Sequence, residues 1–496
     1  MNVPSRVPMV ITILFLWVSV ACAGLEEKVR EHTLANGMKL LMVERHTSPT
    51  VAAWIRFKVG SVNERSDEHG MAHLLEHMLF KGTKTLGTLD YEAEKKLQPQ
   101  IEETAKALMA EQLKREKADQ RKIAELTARL TELQAREDKL VVPDVYSEIY
   151  SRNGGVSFNA FTGKDTTAYM VNLPANKLEL WAAIESDRMQ NAVLRQFYTE
   201  RNVVMEERRR TYEMVPAAKL WENFLTAAFV IHPYGQPIIG WMSELENLSR
   251  TQAEQFLRSY YAPVNAVVAI IGDIDPDKTI QLVEKYFGAI PPGVPVPPVA
   301  VEEPPQVGER RTEVIGDAEP ELFIGYRKPA WPNPDDYTFE VLDMLLTNGK
   351  TSRLYQKLVL EKQLATEVSS AVVPGKMYPN LFIINATPRN PHTVAEVEEA
   401  IYAELERLKT EPVAERDLQR ILNNLEATEI RAMGSNGGLA YRLTDFETTT
   451  GNWRNFLERR KQVAKVTPDD VMRVARNYFV ETNRTVGTLK KREVAP

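Results

Sequence analysis

The chain has 496 residues, 43% of them hydrophobic and 26% charged, with a formal net charge of −6. That length exceeds one ordinary core, so two or more domains are expected, and the composition is that of a soluble globular protein. Lys and Arg are scattered, and the densest basic run, Arg208-Arg209-Arg210, follows Glu206 and Glu207, which argues against a nucleic-acid binder.

The N-terminal stretch reads as a processing segment. Arg6 gives a modest positive start, Met9 to Val20 is an apolar run too short for a comfortable membrane span, and Ala21-Cys22-Ala23 is a small-residue cleavage signal. Residues 1–23 are therefore expected to be a signal peptide that exports the protein to a bacterial periplasm or the medium. The alternatives are lipoprotein processing at Cys22, for which Ser19 is a poor match, and an uncleaved anchor. A membrane partner is expected only if Cys22 is lipidated. Cys22 is the only cysteine, so any metal site must use His, Glu and Asp.

Met38 to Val43 and Thr50 to Val59 are strand-like. The helix that follows carries the chemistry. In His73-Leu74-Leu75-Glu76-His77, two imidazoles four residues apart share one helical face and can ligate one metal ion. Glu76 lies between them, able to take a proton from an attacking water. This is H-x-x-E-H, the inverse of the commoner H-E-x-x-H zinc motif. By itself the pentapeptide also suits an amphipathic helix with surface histidines.

From about residue 92 to 140 the chain is rich in Ala, Glu, Lys, Leu and Gln, with no Gly and only Pro99. Ile123, Leu126, Leu130, Leu133 and Leu140 follow coiled-coil-like spacing, and Ile101, Ala105 and Leu108 begin another stripe. A long helix, or an antiparallel hairpin turning near Lys114 to Gln120, is expected. The surrounding unit reads as complete without it. The insertion would either pack on itself in solvent or act as a partner-docking arm or chamber lid.

Val156 to Leu173 alternates as strands do. Leu178 to Met189 and Thr199 to Tyr212 are helical, and a helix over Thr251 to Tyr261 leads into an apolar strand, Ala266 to Gly272. A proline-rich linker runs from Pro291 through Pro305. The order then repeats. Glu321 to Tyr326 is a strand, Tyr337 to Leu346 a helix without a His pair, and Leu381 to Ala386 a strand. Val394 to Leu408 and Glu415 to Ala432 are helices, and Thr467 to Tyr478 with Thr485 to Leu489 mirror the end of the first copy. The expected fold is α/β, of the α+β kind. It has two tandem homologous domains, 24–290 and 307–496, joined by a linker over 291–306, each a mostly antiparallel sheet with helices packed on it.

GMAHLLEHMLFKGT, from Gly70 to Thr83, closely resembles the motif of the pitrilysin/insulinase family of zinc peptidases, which includes the mitochondrial processing peptidases. In that family a third ligand comes from a segment E-R-x-x-V-x-x-E, and Glu200-Arg201-Asn202-Val203-Val204-Met205-Glu206-Glu207 fits it. Read without the resemblance, the stretch is a solvated charged helix. With it, Glu207 rather than Glu206 takes the ligand position and Glu200, two turns earlier on the same face, is the supporting carboxylate. The resemblance thus implies one zinc ion per chain on His73, His77 and Glu207, with Glu76 as the catalytic base.

Gly154 to Thr162 resembles the family strand beside the metal, whose exposed edge pairs with an extended peptide. Phe158, Asn159 and Ala160 are the substrate-binding candidates, although an ordinary mixed-sheet strand would alternate in the same way. His69 is a supporting group or an exposed residue, and His232 a turn or packing residue rather than a ligand.

One departure is informative. Active members carry an Arg and a Tyr seven residues apart after a G-x-x-S-R-L segment. Here Gly349 to Leu354 fits that segment, but the matching positions are Val359 and Thr366. Neither donates as a guanidinium and a phenol would, and Arg353 belongs to the segment before. The expectation is an exported zinc endopeptidase acting on peptides or unfolded polypeptides, with a companion subunit of the same fold supplying the Arg/Tyr pair. The alternative is a non-catalytic assembly or client-holding subunit with a structural zinc. The intact Glu76 argues against it.

Overall fold

The structure is a computed structural model, and residues 24–492 of the chain are described. The expected signal peptide and Cys22 lie outside the described residues.

Strands β1 (Val29–Thr33), β2 (Lys39–Glu44), β3 (Thr50–Phe57), β4 (Val156–Thr162), β5 (Thr167–Pro174) and β6 (Ala266–Gly272) form one sheet, ordered β1-β2-β6-β3-β5-β4. A second sheet, ordered β7-β11-β8-β10-β9, holds β7 (Arg310–Gly316), β8 (Glu321–Lys328), β9 (Ala365–Val373), β10 (Asn380–Pro388) and β11 (Arg484–Lys491). Apart from β1, the two orders correspond strand for strand. Each sheet has one parallel pair, β2 with β6 and β7 with β11, and the rest is antiparallel. The duplication read from the sequence is therefore present as topology. Strand β6 reads AVVAIIG and is buried throughout, as a central strand covered on both faces must be.

The two halves interlock by exchanging helices. Helix Pro216–Ala228, from the first half, packs on β7 and β11, while Asn436–Thr450, from the second, packs on β3 and β6. Phe224 reaches the second sheet over glycines. A Cβ at Gly325 would lie 2.6 Å from the Phe224 ring, so a side chain there would push the helix off. In return Leu439, Ala440 and Leu443 cover Ala52, Val267, Ala269 and Ile271. Each fully buried Leu, Val or Ile side chain here contributes roughly 1.5–3 kcal/mol. A buried ion pair, Arg56 Nη1 to Asp445 Oδ1 at 2.9 Å, crosses the same contact.

The metal-motif helix is α1 (Met71–Met78), which follows β3; helix Asp335–Leu346 follows β8 in the same place. The insertion is a helical hairpin, α2 (Tyr91–Gln112) and α3 (Gln120–Asp138), capped by Asp90 and Asp119. The expected turn is where the sequence put it. The expectation that the unit is complete without the hairpin is not met. Leu97, Ile101, Ala105, Met109 and Leu133 are buried in the same hydrophobic core as α1 and the first sheet. Polar ties add to this: Tyr198 donates to Glu102 at 2.6 Å, and Arg195 and Glu94, both fully buried, pair at 3.0 Å.

Candidate metal centre

Helix α1 begins at Gly70, whose φ of +94° favours glycine; a Cβ there would meet the Ile239 carbonyl at 2.5 Å. With no capping side chain on Gly70, two distant carboxylates do the work. Glu64 accepts from Gly70 N at 3.0 Å and Ala72 N at 2.8 Å, and Glu244 accepts from His69 N at 3.0 Å. These satisfy N–H groups that a helix start leaves open. Burial lifts the Glu64 carboxyl to about 8, against the lowering effect of those two N–H groups.

One turn on, His73 and His77 project side by side, their ring centroids 4.8 Å apart. Helix α4 (Phe197–Arg208) brings Glu207 to them: Oε1 lies 3.8 Å from His73 Nε2 and Oε2 3.5 Å from His77 Nε2. Among the described residues these three form the one group of His, Cys, Asp or Glu able to hold a metal, with their ligand atoms all within 4.8 Å of one another. Ligands around a tetrahedral zinc, each about 2 Å from the ion, sit roughly 3.3 Å apart, so the trio fits with small adjustments. Glu206, the neighbouring carboxylate, is exposed and pairs with Arg209 at 3.2 Å.

The charges around the trio suit metal binding. Burial, with His77 adding to it, holds His73 down at about 4, so its imidazole is neutral with a free lone pair. His73 Nδ1 is buried without a hydrogen-bond partner. For His77, burial works in the same direction but is outweighed by Glu200, and its pKa is raised. Glu200 Oε1 stands 3.0 Å from His77 Nδ1, which leaves Nε2 to face Glu207. Burial pushes Glu200 up, yet the contacts with His77 and Lys81 prevail and bring it down to about 2. Lys81 Nζ meets the second Glu200 oxygen at 2.5 Å.

Glu76 turns toward β4, where Thr162 Oγ1 donates to its Oε2 at 2.6 Å. Burial raises its proton affinity and Thr162 moderates it. A carboxylate so placed can accept a proton and give it up again. Strand β4 is an edge of its sheet, kinked between Val156 and Asn159 where Ser157 has φ +55°. Of the three substrate-binding candidates, Asn159 is exposed, Ala160 is buried, and the Phe158 ring packs on Phe80 and Tyr150 at 5.3 and 4.8 Å. The strand therefore offers its backbone edge and Asn159, while the Phe158 side chain belongs to the aromatic core.

The remaining sequence candidates lie elsewhere. Val359 is buried in the second core, and Thr366 Oγ1 donates to the Thr387 carbonyl at 3.3 Å. Arg353 pairs with the buried Glu404 at 3.4 Å. His69 is buried, with Nδ1 2.7 Å from Glu244, and His232 caps a short turn by accepting from Tyr234 N at 3.1 Å. Sequence reasoning missed Thr162, Lys81, Glu64 and Glu244. Thr162 and Lys81 lie within the two stretches that carry the family resemblance, but nothing in the residue order shows which carboxylates they meet.

The chain is similar to known proteins along most of its length. The insulinase (peptidase family M16) model matches residues 39–98 and 144–241, passing over 99–143. A model described as the peptidase M16 inactive domain matches residues 247–425. The chain is 27% identical over 468 residues to the zinc protease PqqE of Helicobacter pylori, covering 92% of each. It is 22% identical over 463 residues to a probable mitochondrial-processing peptidase subunit beta of Schizosaccharomyces pombe, covering 90% of this chain and 88% of that one. The crystal structure of a protease from Helicobacter pylori superposes with a TM-score of 0.78 at 27% identity, over 93% of this chain and 99% of that one. The periplasmic protease PqqL from Escherichia coli shares the fold, with a TM-score of 0.69 at 17% identity, over 94% of this chain and 48% of that one.

Proposed function

Because the chain belongs to the pitrilysin/insulinase (M16) family of zinc peptidases, we propose that it is an exported zinc-dependent endopeptidase and the metal-bearing subunit of a two-chain enzyme. Its substrates are peptides or unfolded polypeptides taken between the two halves, and its domains are 24–290 and 307–496 with the linker 291–306. The observation that carries the reading is the convergence of His73, His77 and Glu207 on one point with Glu76 beside them. Two imidazole nitrogens and a carboxylate are a zinc donor set of the catalytic kind, which leaves a fourth position open. When bound, zinc supplies Lewis-acid chemistry to the scissile carbonyl.

The chain's own groups do the rest. The β4 edge holds an extended peptide through backbone hydrogen bonds, independent of its sequence. Glu76 takes a proton from the attacking water and passes it to the leaving amine, while Thr162 keeps the carboxylate oriented. Glu200, itself held by Lys81, fixes the His77 ring.

Val359 and Thr366 support the two-chain part of the reading, since neither brings a guanidinium or a phenol to the oxyanion and the Thr366 hydroxyl already donates to the Thr387 carbonyl. The PqqL chain is about twice the length matched here, consistent with two such units acting together, and that relative is periplasmic. Zinc-loaded chain alone should cleave a quenched peptide poorly, because a missing oxyanion donor costs about 100- to 1,000-fold. A same-fold companion carrying Arg and Tyr should restore the rate, and mutating either residue should remove the gain. If the isolated chain is as fast as any mixture, the divided site is wrong and Arg353 and Tyr355 become the donors to test. If no mixture cleaves, the client-holding alternative gains.

A further inference from the structure

Glu207 sits in the last turn of α4, and the chain does not go on as α-helix. Arg209–Glu213 form a π-helical turn, which interrupts the regular hydrogen-bond ladder and recurs at functional sites. The aim of the Glu207 carboxylate is therefore sensitive to how α4 is held. Side-chain tips lie about 5–6 Å from a helix axis, so a roll of about 10° moves one by about 1 Å. Metal–ligand distances tolerate only about 0.2 Å.

The next residue supplies the hold. Consecutive side chains leave a helix about 100° apart, so while Glu207 faces the histidines, Arg208 turns aside and is buried. Its Nη1 and Nη2 donate to the two oxygens of Glu222 at 2.9 and 3.0 Å, and Nη1 also donates to the Gly240 carbonyl at 2.6 Å. The rings of Trp241 and Tyr212 lie 5.2 and 5.7 Å from the guanidinium. A two-pronged pair of this kind fixes rotation as well as distance.

Both acceptors lead to other parts of the site. Gly240 presses on the start of α1, where a Cβ on it would lie 2.6 Å from the His69 carbonyl carbon. Glu222 belongs to helix Pro216–Ala228, whose Leu220, Phe224 and Leu225 are buried with Phe323, Leu381, Ile383 and Leu489 of the second sheet. Arg208 thus ties the helix of Glu207 to the helix of His73 and His77 and to the second half of the molecule. Stability alone does not call for a buried ion pair here, because apolar side chains of similar volume commonly do as well or better.

We propose that Arg208 is the positioning residue for Glu207: held by Glu222 and the Gly240 carbonyl, it sets the roll of α4 and so the fit of the Glu207 carboxylate to an ion shared with His73 and His77. The second half bears on zinc affinity through helix Pro216–Ala228. The inference rests on the metal-centre reading and adds a residue outside the donor set.

The test is a double-mutant cycle on the full chain. Replacing the pair together, Arg208→Met with Glu222→Met, removes the hold without leaving a lone buried charge. Zinc affinity is read by competition with a fluorescent chelator, and circular dichroism confirms the fold of each variant. Affinity should fall about tenfold or more. In the Glu207→Ala background, where no carboxylate remains to be aimed, the same replacement should change affinity by less than about twofold. Arg208→Lys keeps the charge and loses the fork, so its effect should depend on Glu207 in the same way, and it carries the test if the paired replacement does not fold. Unchanged affinity in a folded variant, or an equal loss in both backgrounds, overturns the proposal. A parent chain that binds no zinc would sink the metal centre itself, whereas a parent that binds zinc equally well with and without the pair would sink the proposal alone.

Discussion

Glu200 joins two partners, His77 Nδ1 at 3.0 Å through one oxygen and Lys81 Nζ at 2.5 Å through the other. The contact raises the proton affinity of His77 against the effect of burial. His77 must be neutral to ligate a metal, so zinc affinity falls as pH drops through that raised value. Glu200→Gln removes the cause. The break in a plot of log Kd for zinc against pH should move to lower pH, while affinity on the alkaline side weakens about 10- to 100-fold. Chelator competition across about pH 5 to 8 reads both. An unmoved break would mean that Glu200 does not control His77.

Glu207 and Glu206 are neighbours with different surroundings. Glu207 reaches both histidines, at 3.8 and 3.5 Å, whereas Glu206 points to Arg209. The chain should hold about one zinc, as a single three-ligand site does. Glu207→Gln should lower its affinity and Glu206→Gln should not. Zinc lost only from the Glu206 variant would shift the ligand assignment by one residue.

The arm should prove to be part of the first domain. Replacing residues 92–140 with a short Gly/Ser linker uncovers the core that Leu97, Ile101, Ala105, Met109 and Leu133 close, so an aggregated, zinc-free product is expected. Ile101→Ala alone should cost about 2–5 kcal/mol, read from chemical denaturation. A soluble, zinc-loaded deletion would show that the core closes without the arm.

Much of this fold was legible because residue type and period agree. The α1 motif combines ligand chemistry with helical spacing, and β6 is a continuous apolar run. Strands β1 and β7 were not legible. VREHT and RRTEVIG are short, charged edge sequences, and β7 is fixed by β11, which arrives only at the end of the chain. Helices Pro216–Ala228 and Asn436–Thr450 went unread, and their exchange between halves is a tertiary fact without a local signal. The arm shows the same limit: the stripe of Ile101 and Ala105 was visible, but not the core it covers. At the site, the ligand types and spacing were readable, while the pairing of Thr162 with Glu76 depends on how β4 crosses α1.

The central claim is that Glu76 performs proton transfer at a zinc centre built by His73, His77 and Glu207. Glu76→Gln keeps the size and the Thr162 contact but removes the base. Metal content and peptide turnover measured on the same purified samples, with the companion present, test the claim most directly. Zinc should stay at about one per chain while turnover falls by about two to four orders of magnitude. Undiminished cleavage by the zinc-loaded variant would contradict the account.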